Sequence, residues 1–333
     1  MKNRCIVLAR RPKGQPSVDD FRLETVELPP LGDGQVLVRN QWLSLDPYMR
    51  GRMSDAPSYA EPQPLNETMI GGTTGEVVES RNAKFPVGTQ VVGWFGWQEY
   101  GISDGSDGSS MCAVDTRRVP LSAYLGAVGM PGVTGWYGLN KIIAPKAGET
   151  IVVSAASGAV GSVVGQLAKI AGCRAVGIAG GADKCRYVTD ELHFDGCVDY
   201  KSEDVGRALD RLCPNGIDGY FENVGGAILD AVLPRMNAHG RIALCGMIAG
   251  YNEQSTPLAE PRWLLVRRLL VQGFIVSEHM DVWPQALREL GEHVAAGRIK
   301  YRESMVRGLE NAPAALIGLL EGRNFGKQLV KLV

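Results

Sequence analysis

The sequence predicts an α/β protein in which a β-rich domain is interrupted by a doubly wound parallel sheet. Three observations carry that expectation. The first 120 or so residues read as short strands set apart by Gly, Pro, Asp and Ser clusters. From Thr150 to Phe274, apolar runs alternate with helix-period segments, which is the βαβ pattern of a parallel sheet. The chain then closes with Phe325–Val333, a strand that has no sheet of its own and is therefore expected to return to the first domain.

In order, the early strands are expected at Arg4–Ala9, Gln35–Leu43, Gly75–Val78, Gln90–Phe95 and Met111–Val114. The parallel set is Thr150–Ala155, Arg174–Ala179, Cys197–Tyr200, Ile217–Glu222, Arg241–Cys245 and Leu269–Phe274. Six strands make two mononucleotide halves of three, the content of a Rossmann dinucleotide-binding sheet. Asp281–Arg298 follows as a helix. The expected division is residues 1–127 for a catalytic domain, 128–298 for the Rossmann domain and 299–333 for the return.

Bulk properties exclude several classes. At 333 residues the chain is long for one core and fits two domains. A formal net charge of -1 gives no surface for nucleic acid or anionic membrane. No apolar run reaches the roughly 20 residues that span a bilayer, and the apolar stretch Cys5–Ala9 is too short for a secretion signal. A cytoplasmic protein is expected. The seven cysteines form no Cys-x-x-Cys pair, so neither a disulfide framework nor a zinc knuckle is indicated.

The strongest local signal is Ile151-Val152-Val153-Ser154-Ala155-Ala156-Ser157-Gly158-Ala159-Val160-Gly161. A β-branched strand enters a small-residue turn, and Val160, Val163, Val164, Leu167 and Ala171 then mark a helix face. Gly158 allows the backbone to approach a pyrophosphate, and Gly161 allows close packing of helix on strand. Free N–H groups at the helix start face the phosphates. Ala156 stands where the fingerprint has its first glycine. About 20 residues on, NAD enzymes place an acid for the ribose hydroxyl. Here Ala179-Gly180-Gly181-Ala182-Asp183-Lys184 has none at Gly180, and Lys184 and Arg186 follow as candidate partners for a 2′-phosphate. NADPH is the expected cofactor. A solvated lysine at a helix start is the plainer alternative for Lys184.

Several motifs together resemble the medium-chain dehydrogenase/reductase superfamily, and within it the zinc-independent leukotriene/prostaglandin reductase branch. They are Asp46-Pro47-Tyr48-Met49-Arg50, Gly129-Met130-Pro131-Gly132-Val133-Thr134, the Ala155–Gly161 turn, Glu222-Asn223-Val224-Gly225-Gly226 and Asn324-Phe325-Gly326-Lys327. The resemblance spans nearly the whole chain. It implies a GroES-like β domain with a Rossmann insert, and a homodimer joined through the Rossmann sheet edge. It implies that Lys184 holds the 2′-phosphate, that Tyr200 lies near the adenosine, and that Asn223 and Asn324 reach the cofactor. As residues alone, the two asparagines read equally as turn formers.

Zinc-dependent members of that superfamily take a Cys and a His from the first domain. Here His193, His239, His279 and His293 all lie beyond it. The corresponding segments read Gly71-Gly72-Thr73-Thr74-Gly75-Glu76 and Leu43-Ser44-Leu45-Asp46, so no zinc site is expected. The resemblance implies reduction of a C=C bond conjugated to a ketone or aldehyde, with a small hydrophobic enone or enal as substrate. Tyr251, in Gly250-Tyr251-Asn252 past the fifth parallel strand, and Tyr48 are the candidate donors to the developing enolate. For both, a tyrosine that only lines a surface is the alternative, and Arg50 is left unassigned. Trp42, Tyr59, Trp94 and Trp97 suit a hydrophobic ligand but read more simply as core aromatics. Two further readings share the scaffold: a zinc-independent quinone or ketone reductase, and a non-catalytic NADPH-binding protein.

Overall fold

Val, Leu and aromatic residues alternating with polar ones give the first part of the chain its strands. The computed structural model describes residues 1–106, 111–252 and 256–333. β1 (Lys2–Leu8) and β2 (Phe21–Glu27) form an antiparallel pair. β3 (Val36–Leu45) leads through Asp46-Pro47 into the one-turn helix α1 (Tyr48–Arg52). β4 (Thr73–Ser80), β5 (Gln90–Gly93), β6 (Tyr100–Ser103) and β7 (Cys112–Ala113) follow, all pairing antiparallel. β2 and β6 are additions to the strands expected from sequence. β2 carries four polar residues out of seven and is mostly exposed, which leaves it little apolar signal.

A second unit begins at α2 (Met130–Tyr137). It continues through β8 (Thr150–Ser154), α3 (Gly161–Ile170), β9 (Arg174–Ala179), α4 (Ala182–Arg186), β10 (Gly196–Asp199), α5 (Val205–Leu212), β11 (Ile217–Glu222), α6 (Gly226–Val232), β12 (Met236–Leu244), α7 (Arg262–Arg267), β13 (Leu270–Gly273) and α8 (Trp283–Ala295). The six strands are all parallel, in the order β10-β9-β8-β11-β12-β13. This is the Rossmann order, with its switch point between β8 and β11. β8 is buried at every residue, as a central parallel strand covered on both faces must be. β12 starts earlier than the sequence suggests. Asn237-Ala238-His239-Gly240 reads as a turn, and His239 does take a left-handed φ of 65°, but the register shift against β11 absorbs it.

The chain returns as β14 (Glu303–Arg307), α9 (Ala312–Leu320) and β15 (Lys327–Lys331). β15 pairs antiparallel with β3, so the last strand does rejoin the first sheet, and β14 adds in parallel beyond it. The sheet order is β14-β15-β3-β4-β5-β7, with β6 also on β3. Two compact units result: Met1–Leu125, Tyr251–Glu253 and Glu303–Val333 in one, Gly126–Gly250 and Gln254–Arg302 in the other. The first is centred on Ile6, Leu43, Met49, Met53, Trp97 and Leu316, with Trp97 stacked on Phe21 at 5.5 Å. The second is centred on Val152, Val176, Tyr220 and Ile242. Among the described residues, no helix is long and apolar enough to cross a membrane.

Candidate functional site

At the C-terminal end of β8 the backbone must turn sharply to start α3. Ala155 takes a left-handed φ of 49°, a conformation that costs a non-glycine residue about 1–2 kcal/mol. Strain of this kind collects at ligand sites. A Cβ on Gly161 would stand 2.4 Å from the carbonyl oxygen of Ala155, so only glycine lets the helix begin there. Gly158, Ala159 and Val160 are half-exposed along the turn. Ala156 differs: it is fully buried, and its N–H is spent on the Ile178 carbonyl at 3.0 Å. It shapes the turn from beneath.

Across the switch point, β11 ends on Glu222, a fully buried carboxylate. One of its oxygens accepts from the Ser154 hydroxyl at 2.8 Å and from the Val224 N–H, and the other from the Tyr220 hydroxyl at 2.9 Å. Burial and the Glu222 charge push the Tyr220 phenol far up. Asn223 donates its side-chain amide to the Ser154 carbonyl at 2.7 Å, and its N–H to the Ser154 hydroxyl at 2.8 Å. Ser154 and Glu222 thus lock the ends of β8 and β11 together. Sequence reasoning missed both roles; the signal was an acid ending an otherwise buried strand.

At the end of β9, the ring of Tyr200 lies over Gly180, 2.8 Å from where a Cβ would stand, so a side chain there would displace that ring. Gly181 donates its N–H to Asp199 at 2.7 Å. That bond is the main cause holding the Asp199 carboxyl below its usual range. Lys184 is half-buried on α4. Burial lowers its ammonium pKa first, and the charge of Lys201 lowers it further. Two cations held close enough to disfavour each other mark a place where an anion is welcome. Arg186, the other candidate, is instead ion-paired with Asp183. Lys201 carried no signal in the sequence beyond its charge.

In the other unit, Tyr48 opens α1 and meets Trp94 edge-on at 6.3 Å. Its hydroxyl is buried with no hydrogen-bond partner among the described residues. Burial, then the charge of Asp46, push its pKa well above the phenol value. Tyr251 and Asn252 fall in this same unit, although they follow the fifth strand of the parallel sheet in sequence. Tyr251 is half-buried. Asn324 turns its amide to the Gly326 carbonyl at 2.7 Å and so closes its own turn. Of the four aromatics, Trp97 is core, Trp42 is half-buried, and Tyr59 and Trp94 are exposed.

The Leu43-Ser44-Leu45-Asp46 segment is organised around a buried ammonium. Lys327 donates to Asp46 at 2.6 Å and to the Leu45 carbonyl at 2.8 Å, while Ser44 donates to the other Asp46 oxygen. Thr73, in the second segment where zinc members carry a ligand, donates to Asn40 at 2.9 Å. His279 stacks on Tyr137 and His293 accepts from Arg298. Among the described residues, no group of three or more His, Cys, Asp or Glu side chains could hold a metal ion.

Comparison with known proteins agrees with both units. A family described as the N-terminal domain of oxidoreductases matches residues 4–111, and one described as zinc-binding dehydrogenase matches residues 159–292. The chain is 46% identical to the NADPH-dependent curcumin reductase of Escherichia coli, covering 99% of this chain and 97% of that protein. It is 42% identical to a tobacco NADP(+)-dependent 2-alkenal reductase over 99% of this chain and 97% of that protein. Bovine prostaglandin reductase 1 is 43% identical over 96% and 95%. The crystal structure of CurA from Vibrio vulnificus in complex with NADPH superposes with a TM-score of 0.93, at 48% identity and 99% coverage of both chains. The turn, the strand order and these likenesses lead to one conclusion: the chain belongs to the medium-chain dehydrogenase/reductase superfamily, in its zinc-independent leukotriene/prostaglandin reductase branch.

Proposed function

We propose that the protein reduces the C=C bond of α,β-unsaturated ketones and aldehydes with NADPH. The observation that carries this reading is the Tyr48 hydroxyl, buried and without a partner among the described residues. A buried donor left unsatisfied costs about 1–3 kcal/mol, and a substrate oxygen would remove that cost. Relatives named as curcumin, alkenal and prostaglandin reductases support the same reaction class.

NADPH, when bound, supplies a hydride, and the β-carbon of the substrate receives it. The rest falls to the chain. Ala159, Val160 and the start of α3 offer their backbone N–H groups to the pyrophosphate, while Gly158, its own N–H bonded to the Ala155 carbonyl at 2.9 Å, lets the chain pass close by. Lys184 and Lys201 meet the 2′-phosphate, with Tyr200 and Gly180 beside the adenosine. Asn223 and Ala156 hold the turns that shape this cradle, and Asn324 is a further candidate contact to the cofactor. As hydride arrives, charge grows on the carbonyl oxygen and needs a donor already in place. With its pKa raised so far, Tyr48 keeps its proton and serves as that donor. Tyr251 shares the oxygen or delivers the proton to the α-carbon.

A positioned acid contributes about 10²–10⁴ in rate. Tyr48→Phe and Tyr251→Phe should each lower kcat toward the bottom of that range, with NADPH affinity unchanged. Full activity in the double variant would remove both residues from the mechanism. We also assign the protein to the cytoplasm and to a homodimer formed through the edge strand β13, whose four residues are all exposed.

A further inference from the structure

Cys185 and Cys197 stand twelve residues apart and in no Cys-x-x-Cys motif, and α4 and β10 bring their sulfurs to 3.2 Å. The other thiols are placed differently. Cys5, Cys173 and Cys213 are buried and Cys112 is exposed, while Cys245 is pushed up to about 12 by burial. Cys185 follows Lys184 directly on α4. Cys197 stands on β10, the strand that delivers Asp199 to the Gly181 N–H and Tyr200 to the face of Gly180. The two sulfurs therefore join the two sides of the adenosine-phosphate corner.

We propose that Cys185 and Cys197 are a redox site that takes a hydroperoxide, closes to a disulfide, and weakens NADPH binding while closed. In the first step the Cys185 thiolate attacks one peroxide oxygen. An S–O bond forms, the O–O bond breaks, and the alcohol leaves with a proton. In the second step the Cys197 sulfur attacks the Cys185 sulfenic acid, forming the S–S bond, and water leaves with the Cys197 proton. Two thiols lose two electrons and the hydroperoxide gains them.

Donation from the Cys197 thiol holds the Cys185 thiol below its usual value, and the same contact with burial pushes Cys197 up. Roles are thereby divided: Cys185 attacks and Cys197 resolves, since the thiolate is the nucleophile. A disulfide has its sulfurs about 2.05 Å apart. Closing from 3.2 Å draws α4 toward β10 and with it Lys184 relative to Tyr200. The effect on cofactor rests on the placement of the 2′-phosphate at Lys184 proposed above; the thiol chemistry does not.

The test treats the purified full-length protein with hydrogen peroxide. Tryptic mapping should find Cys185-Arg186 joined to the 187–201 peptide, reversible by dithiothreitol. The oxidised protein should bind NADPH roughly 10-fold more weakly, as expected for loss of part of a charge-assisted contact, and NADH within about twofold of before. Cys197→Ala should bind NADPH like the reduced wild type and keep that affinity after peroxide. Sulfinic or sulfonic acid at Cys185 with Cys197 still a thiol would overturn the proposal. A bridge that leaves NADPH affinity unchanged would overturn its link to the cofactor. Lys184→Ala in reduced protein then locates the fault. If it weakens NADPH, the bridge fails to move the corner; if it does not, the phosphate lies elsewhere.

Discussion

Lys184 and Glu303 show how burial sets the behaviour of single residues. Lys184 is half-buried beside Lys201, and burial and then that neighbouring charge lower its ammonium pKa. A charge-assisted hydrogen bond is worth about 1.5–3 kcal/mol. Lys184→Ala should therefore raise the NADPH Kd roughly 10- to 150-fold, with the NADH Kd hardly changed. Titrations of both cofactors check this, and equal losses would make the residue structural. Glu303 lies in the other unit with one oxygen buried and unpartnered among the described residues. Burial raises its carboxyl pKa, against the pull of Ser122 and Lys327. A raised folded-state pKa contributes stability below the unfolded value of about 4.3, which is lost as pH rises through the folded value. Glu303→Gln should thus gain stability relative to wild type as pH rises from 4 to 8. Melting temperatures across that range test it, and a pH-independent difference would contradict it. Lys184 as a candidate cation was legible in the sequence from the missing acid at Gly180. The buried ammonium of Lys327 and the clamp at Glu222 were not, because their meaning depends on partners brought by other strands: Asp46 from β3, Ser154 from β8.

Elements were legible where periodicity and burial coincide. Arg174–Ala179 and Ile217–Glu222 were readable to the residue, since these central parallel strands are mostly buried and end at turns. Strands with one wet face were harder. β2, β6 and β14 escaped, two of them because acids and arginines interrupt short apolar runs. The glycine requirement at Gly161 was readable from the motif, but the strain at Ala155 was not. β13 ends the parallel sheet with Leu270 52% and Val271 43% exposed, and Leu265 on α7 is 79% exposed. An open apolar edge invites pairing with another strand. Val271→Lys should convert the proposed dimer to monomer in sedimentation equilibrium while leaving the Rossmann unit folded by circular dichroism. A wild-type monomer at micromolar concentration would remove the edge from consideration.

At the scale of the molecule, the two units divide the work. The parallel sheet carries at its switch point the Ala155–Gly161 turn proposed above to bind the phosphates, and the unit with the GroES-like sheet carries the two tyrosines proposed as donors. Fold alone does not choose between reducing a C=C and a C=O bond; the choice rests on where hydride lands and which atom the phenols hold. NADPH carrying deuterium at C4 and an aryl enone separate the two outcomes by mass spectrometry and NMR of the product. The expected product is a saturated ketone with its carbonyl kept and the label on the β-carbon. An allylic alcohol with the label on the carbinol carbon would contradict the proposed C=C reduction.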